Sequence, residues 1–131
     1  LKTANWGHDG KGQRSIRNEA EGLEAIARLG PSNLIAEQRM PFSHEVSILV
    51  ARSLLGEIKV YPLIHNTHVR HILDISVCPV PDVLQPLEAE ATEIARGIAE
   101  HLGLIGLLCV EFFVVDGKLM INEIAPRPHN S

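Results

Sequence analysis

Residues 107–131 read LLCVEFFVVDGKLMINEIAPRPHNS. Glu111 stands in an otherwise apolar run, and a carboxylate there is costly to bury unless a cation or a hydrogen-bond donor compensates it. Asp116-Gly117, between two apolar stretches, is a strong signal for a β-hairpin turn. Folding back at that turn returns Asn122 and Glu123 beside Glu111. Two acids and an amide are hard oxygen ligands that suit Mg2+ better than zinc, with coordination positions left for water and nucleotide phosphates. An ATP site is therefore the expectation. Solvated acids on an edge hairpin are the other reading of the same residues, and the tail after Glu123 weakens it.

Register decides between them. With a strict two-residue loop at Asp116-Gly117, Glu111 falls opposite Asn122 and Glu123 points to the other face, because strand side chains alternate. Bringing both carboxylates to one metal requires one extra residue, as a bulge or as a three-residue loop through Lys118. We expect that irregularity.

The rest of the chain sets milder bounds. Its 131 residues, 45% of them hydrophobic, can bury one core and make about one domain. A net charge of −4 with scattered basic residues leaves no electrostatic footprint for nucleic acid. Cys78 and Cys109 fit isolated or buried thiols in a reducing cytoplasm better than a disulfide framework or a zinc site. No signal peptide is visible, and no apolar run approaches the roughly 20 residues that span a bilayer, so a soluble protein with no membrane partner is expected. The abrupt ends at Leu1 and Ser131 are those expected of a fragment.

The pattern of elements is α+β with a largely antiparallel sheet and two main helices. Asn18 can cap a helix running to about residue 29, with Glu21 as its capping-box partner and Gly30-Pro31 as the stop. Ile16, Leu23, Ile26 and Leu29 would supply much of its buried face. Residues 34–37, 46–52 and 58–63 read as strands, the last two separated by a turn at Gly56. Pro79, Pro81 and Pro86 mark a loop. A second helix is expected from about 87 to 102, with Leu87, Ala91, Ile94, Ala95, Ile98 and Leu102 at helical spacing and Gly103 just past its end.

Two further elements carry chemistry. In Gly7-His8-Asp9-Gly10-Lys11-Gly12-Gln13, three glycines let the backbone approach a polyanion, consecutive N–H groups can form a nest for phosphate oxygens, and Lys11 adds charge. Lys2 on the preceding strand could hold a phosphate from below. A flexible hairpin tip explains the glycines equally well. Glu37-Gln38-Arg39-Met40 leaves an apolar strand, where backbone groups can read an adenine edge, and Glu45 can accept from ribose hydroxyls. Alone, that segment is ordinary solvated loop chemistry.

Taken together, LKT, GHDGKGQ, EQRMPFSHEVSILVAR, YPLIHNTH, GLLCVEFFV and NEIAPRPHNS resemble the ATP-grasp superfamily over essentially the whole chain. Within it, the chain closely resembles the purine-pathway ligases that carboxylate aminoimidazole ribonucleotide. The formate-dependent transformylases have a similar Pro-Arg-Pro-His stretch but normally follow it with Asp-Thr, so Asn130-Ser131 favours the carboxylating ligases. The resemblance implies an ATP-grasp fold, with residues 1–36 belonging to a glycine-loop subdomain and 37–131 to a carboxy-terminal subdomain. An amino-terminal domain and a carboxy-terminal segment would be missing.

It also implies a reaction. ATP phosphorylates bicarbonate, and the resulting carboxyphosphate carboxylates the amine of aminoimidazole ribonucleotide. Carried over by position, Lys2 and the loop from Gly7 to Gln13 hold phosphates, Glu37 to Met40 line the adenine, Glu45 takes the ribose, and His68 contacts the nucleotide. Glu111 and Glu123 hold Mg2+, or Mn2+ in its place, with Asn122 beside them. Arg127, His129 and Asn130 face carboxyphosphate and acceptor, Lys11 belongs to the catalytic set, and Asp9 orients the acceptor amine or takes its proton. The resemblance departs at His8, where Tyr is usual. A homodimer is implied only for the longer relatives, and little turnover is expected from this chain alone. Other ATP-grasp ligases, a transformylase and a noncatalytic nucleotide-binding module are the alternatives.

His65, His68 and His71 fall three apart, a spacing that would gather them on a helix. Pro62 and Asn66-Thr67 argue instead for a strand end and loop, which speaks against zinc.

Overall fold

The computed structural model describes residues 1–4, 12–30, 33–70 and 72–128. Its contacts divide the chain into two compact units, Leu1–Met40 and Pro41–Ser131.

In the first unit, strand β1 (Lys2–Thr3) pairs antiparallel with β2 (Leu34–Ile35), with Lys2 opposite Ile35. On its other side β1 is held by the segment after the glycine-rich loop. Thr3 N–H donates to the Gly12 carbonyl at 3.0 Å, and Arg14 N–H donates to the Leu1 carbonyl at 2.8 Å. The sequence pattern extends β2 to Glu37, but its pairing ends at Ile35.

Helix α1 (Glu19–Leu29) begins where Asn18 predicts. The Asn18 Oδ1 accepts from Glu21 N–H at 3.0 Å, satisfying one of the donors that a helix start leaves unpaired. The Glu21 carboxylate reaches back one residue further than a capping box requires and accepts from Arg17 N–H at 2.9 Å. Gly30 ends the helix with φ of 88°, a conformation costly to any residue with a Cβ. The expected buried face does not form. Ile16, Leu23 and Ile26 are exposed at 42%, 64% and 39%, and Ala25 alone in the helix is buried. Paired strands of two residues each present too little apolar surface to cover an eleven-residue helix.

The second unit is an antiparallel sheet with a helix on one face. Strand β3 (His44–Arg52) is central; β4 (Ile58–Val60) and β5 (Ile64–Val69) pair with one edge of it in succession. Strand β6 (Ile72–Val77) continues outward from β5. On the other edge lie β7 (Gly106–Val115) and then β8 (Lys118–Ala125), giving the order β6-β5-β3-β7-β8. Residues 65–69 were expected to be strand end and loop, and 72–77 carried no expectation of a strand. Hydrogen bonding to β3 makes the first extended, and the first then templates the second, a non-local decision that local propensity does not contain.

Helix α2 (Glu88–His101) matches the expected span to within a residue at each end, with Gly103 following at φ of 58°. Its Ala91, Ala95 and Ala99 are fully buried, and these small side chains let the helix approach the sheet closely. Against it pack Val46, Ile48 and Val50 of β3 and Leu108, Val110, Phe112 and Val114 of β7, every second residue of each strand. Each such side chain contributes about 1.5–3 kcal/mol by leaving water. Leu102 turns out to be 56% exposed, because it caps the helix beyond the last turn that faces the sheet. Cys109 is buried. No helix among the described residues is long and apolar enough to cross a membrane.

Candidate functional site

The hairpin between β7 and β8 turns on Asp116 and Gly117, with φ of 50° and 73°. Two positive φ values in a two-residue loop suit the right-handed twist of the strands it joins. From this loop the register runs Val115 to Lys118, Val114 to Leu119, Phe113 to Met120 and Phe112 to Ile121. It then shifts, and Glu111 pairs with Glu123. Asn122 is the extra residue. The expected irregularity is therefore present as a bulge within the ladder, and the loop does not lengthen through Lys118. Residues directly opposite on paired strands share a face and bring their Cβ atoms to about 5 Å. Glu111 is partly buried and Glu123 is exposed.

The same face continues across the sheet. Glu111 pairs with Ser47 on β3, and Phe113 pairs with Glu45. Because Val46, Ile48 and Val50 point to α2, Glu45 and Ser47 point away from it, toward the open face. Glu45 and His68 are in contact there, through a carboxylate oxygen and the imidazole Nδ1, with both side chains mostly shielded from solvent. Phe42 stacks on Phe113 with ring centroids 4.3 Å apart, planes 6° from parallel, and makes a flat apolar wall beside Glu45. Thus Glu45, His68, Glu111 and Glu123 gather on one open face, opposite the core.

His65 lies on the other face. It pairs with Val46 and makes an edge contact with His44 at 5.4 Å. Burial, and secondarily the neighbouring His44, lowers its pKa from the usual 6.5. His65 and His68 thus occupy opposite faces of one strand and cannot share a zinc ion; His71 lies outside the described residues. Among the described residues no group of three or more His, Cys, Asp or Glu side chains is arranged to hold a metal ion. The Glu111–Glu123 pair offers the oxygen ligands that a hard divalent cation would need, and the two residues would be the ones to hold it. Two facing carboxylates supply oxygen ligands and a charge of −2, and repel one another until a cation lies between them.

In the first unit, Lys2 Nζ lies 2.6 Å from Glu37 Oε1, which joins the phosphate candidate to the adenine candidate. Gln38, Arg39 and Met40 continue without regular structure, and Gln13 bridges to Lys2. Arg127 is exposed and donates to the Pro128 carbonyl at 3.2 Å. Gly7, His8, Asp9, Gly10, Lys11, His129 and Asn130 lie outside the described residues.

Three polar residues of the open face were missed. Ser47 and Asn66 are buried at 0% and 6% exposure, and Ser76 bonds to Asn66. The signal for Ser47 was the one that singled out Glu111, a polar residue inside an apolar strand.

The sequence pattern of the ATP-grasp domain matches residues 1–131. The chain is 45% identical over its whole length to the N5-carboxyaminoimidazole ribonucleotide synthase of Pseudomonas aeruginosa, and covers 36% of that protein. The crystal structure of the Staphylococcus aureus N5-carboxyaminoimidazole synthetase with ADP superimposes with a TM-score of 0.86 at 38% identity, over 98% of this chain and 34% of that one. The Aspergillus clavatus enzyme in complex with ADP and 5-aminoimidazole ribonucleotide gives 0.77 at 25% identity, over 92% and 32%. The chain spans about a third of the length of the curated relatives it matches.

Proposed function

Because this chain belongs to the ATP-grasp family, we propose that it supplies the nucleotide-binding and cation-binding part of a cytoplasmic ligase for aminoimidazole ribonucleotide. ATP would phosphorylate bicarbonate, and carboxyphosphate would then carboxylate the ribonucleotide amine to N5-carboxyaminoimidazole ribonucleotide, releasing ADP and phosphate. The observation that carries this reading is the register that sets Glu111 against Glu123 on the face shared with Glu45 and His68. Whole-length identity to synthases of that product supports the choice of substrate.

In this reading Glu111 and Glu123 would hold Mg2+, with Asn122 beside them, and the ion would supply charge neutralisation on the transferred phosphoryl group. Glu45 accepts from ribose hydroxyls while His68 holds its carboxylate in place. The stacked Phe42 and Phe113 keep water from that side of the nucleotide. Lys2 and the glycine loop from Gly7 to Gln13 bind phosphates, and Glu37, Gln38, Arg39 and Met40 border the adenine. Asp9 orients the acceptor amine or takes its proton, with Lys11, Arg127, His129 and Asn130 around the reacting groups.

The test is ADP release by the complete natural protein carrying this sequence, given Mg2+, ATP, bicarbonate and aminoimidazole ribonucleotide, omitting each in turn. Release that needs the ribonucleotide, forms the carboxylated product and collapses in Glu111→Gln or Glu123→Gln is the expected result. ATP binding without ribonucleotide-dependent release would overturn the assignment.

A further inference from the structure

Ser47 and Asn66 are the two buried polar side chains among the described residues, and both lie on the open face of the sheet. Their hydrogen bonds run in one direction. The Ser76 hydroxyl donates to Asn66 Oδ1 at 2.9 Å, and Asn66 Nδ2 donates to Ser47 Oγ at 2.8 Å. An amide nitrogen can only donate and its oxygen only accept, so the middle link has a fixed sense. A hydroxyl that accepts from Asn66 sends its own proton elsewhere. The residue paired with Ser47 on the neighbouring strand, on the same face, is Glu111. Asn66 pairs with Glu45, so the chain also passes beside the Glu45–His68 contact.

We propose that Ser76, Asn66 and Ser47 form a polarised hydrogen-bond chain, running from the edge strand β6 through β5 to β3, that positions the Glu111 carboxylate for cation binding. This rests on the reading of Glu111 and Glu123 as cation ligands. A glutamate side chain has several rotatable bonds, and Glu123 directly opposite repels it. A donor on one Glu111 oxygen selects the rotamer that leaves the other oxygen for the cation. Residues that hold metal ligands in this way typically change metal affinity by about 10- to 100-fold when removed. These three are positioning residues, since each acts through Glu111.

A merely structural role would also leave Ser47→Ala destabilised, because the Asn66 amide would lose its acceptor. The discriminating readout is therefore Mn2+ affinity, followed by the electron paramagnetic resonance signal of unbound Mn2+, in the complete natural protein carrying this sequence. Ser47→Ala is expected to bind Mn2+ roughly tenfold more weakly, and Ser47→Thr, which keeps the hydroxyl, to retain the parental affinity. The double variant Ser47→Ala/Asn66→Leu replaces both buried partners with apolar groups. It should regain the melting temperature lost in Ser47→Ala without regaining Mn2+ affinity. Ser76→Ala, at the exposed end, gives a smaller loss in the same direction without disturbing the core.

Parental Mn2+ affinity in Ser47→Ala and Ser76→Ala, or affinity that returns together with stability in the double variant, overturns the positioning role. If the parent takes up no Mn2+, or if Glu111→Gln binds it equally well, the cation reading itself falls and this proposal with it.

Discussion

Glu111 and Glu123 face each other across β7 and β8 only because Asn122 is an extra residue in the ladder. Continuing the register of the hairpin end would have set Glu111 against Asn122 and sent Glu123 to the helix-covered face. A single residue thus converts two acids on opposite faces into one site of charge −2.

Deleting Asn122 should remove the bulge yet keep Glu123 opposite Glu111, because Glu123 then follows Ile121 directly in a regular ladder. The expected outcome is Mg2+-dependent ATP turnover within about tenfold of the parent, with circular dichroism of the folded protein retained. A much larger loss would show that the site needs Asn122 itself and not only the facing carboxylates.

His65 gives a pH dependence of stability. Its pKa is lowered by burial and by His44, so the unfolded chain binds its proton more readily than the folded one. The contribution of neutral His65 is present above the unfolded value of 6.5 and is lost as pH falls from there through the lower folded pKa. Melting temperatures measured between about pH 7 and about pH 5 should fall toward acid, and His65→Gln should flatten that part of the slope. His44→Gln should flatten it less, since burial is the larger cause.

The closeness of α2 to the sheet rests on alanines. Ala95→Leu places three extra heavy atoms where exposure is 0% and should cost about 1–3 kcal/mol in urea denaturation. An equal cost from Leu at the exposed Gly97 of the same helix would refute packing as the cause.

The Asn18 cap is a local device, and its removal should stay local. Asn18→Ala should destabilise α1 by about 1 kcal/mol, read as faster amide exchange over Glu19–Leu29. Exchange in α2 and the large sheet should be unchanged.

Lys2 and Glu37 are both substantially solvent-exposed, so their short contact contributes little to stability, under about 1 kcal/mol. Lys2→Met should leave the melting temperature nearly unchanged yet raise the KM for ATP, a split that assigns Lys2 to ligand binding.

What the sequence by itself determined is whatever depends on neighbours along the chain. The Asn18 cap and the Gly30 stop, the helical spacing of Ala91 and Ala95, and the hairpin at Asp116-Gly117 all follow from backbone preferences and periodicity within a few residues. The need for an extra residue between Glu111 and Glu123 could also be read there, because alternation in a strand is strict. Its position at Asn122 could not, since either the loop or the ladder would have supplied the shift. Only the tertiary structure decided that β5 and β6 are strands, because their polar residues are tolerated by pairing with β3 and by an open face. It alone brought Glu45 to His68 and Ser47 to Asn66, contacts between strands distant in sequence. It also left Ile16, Leu23 and Ile26 exposed where periodicity predicted burial. Periodicity defines which face of an element is apolar; whether anything covers that face depends on surface supplied from elsewhere in the fold.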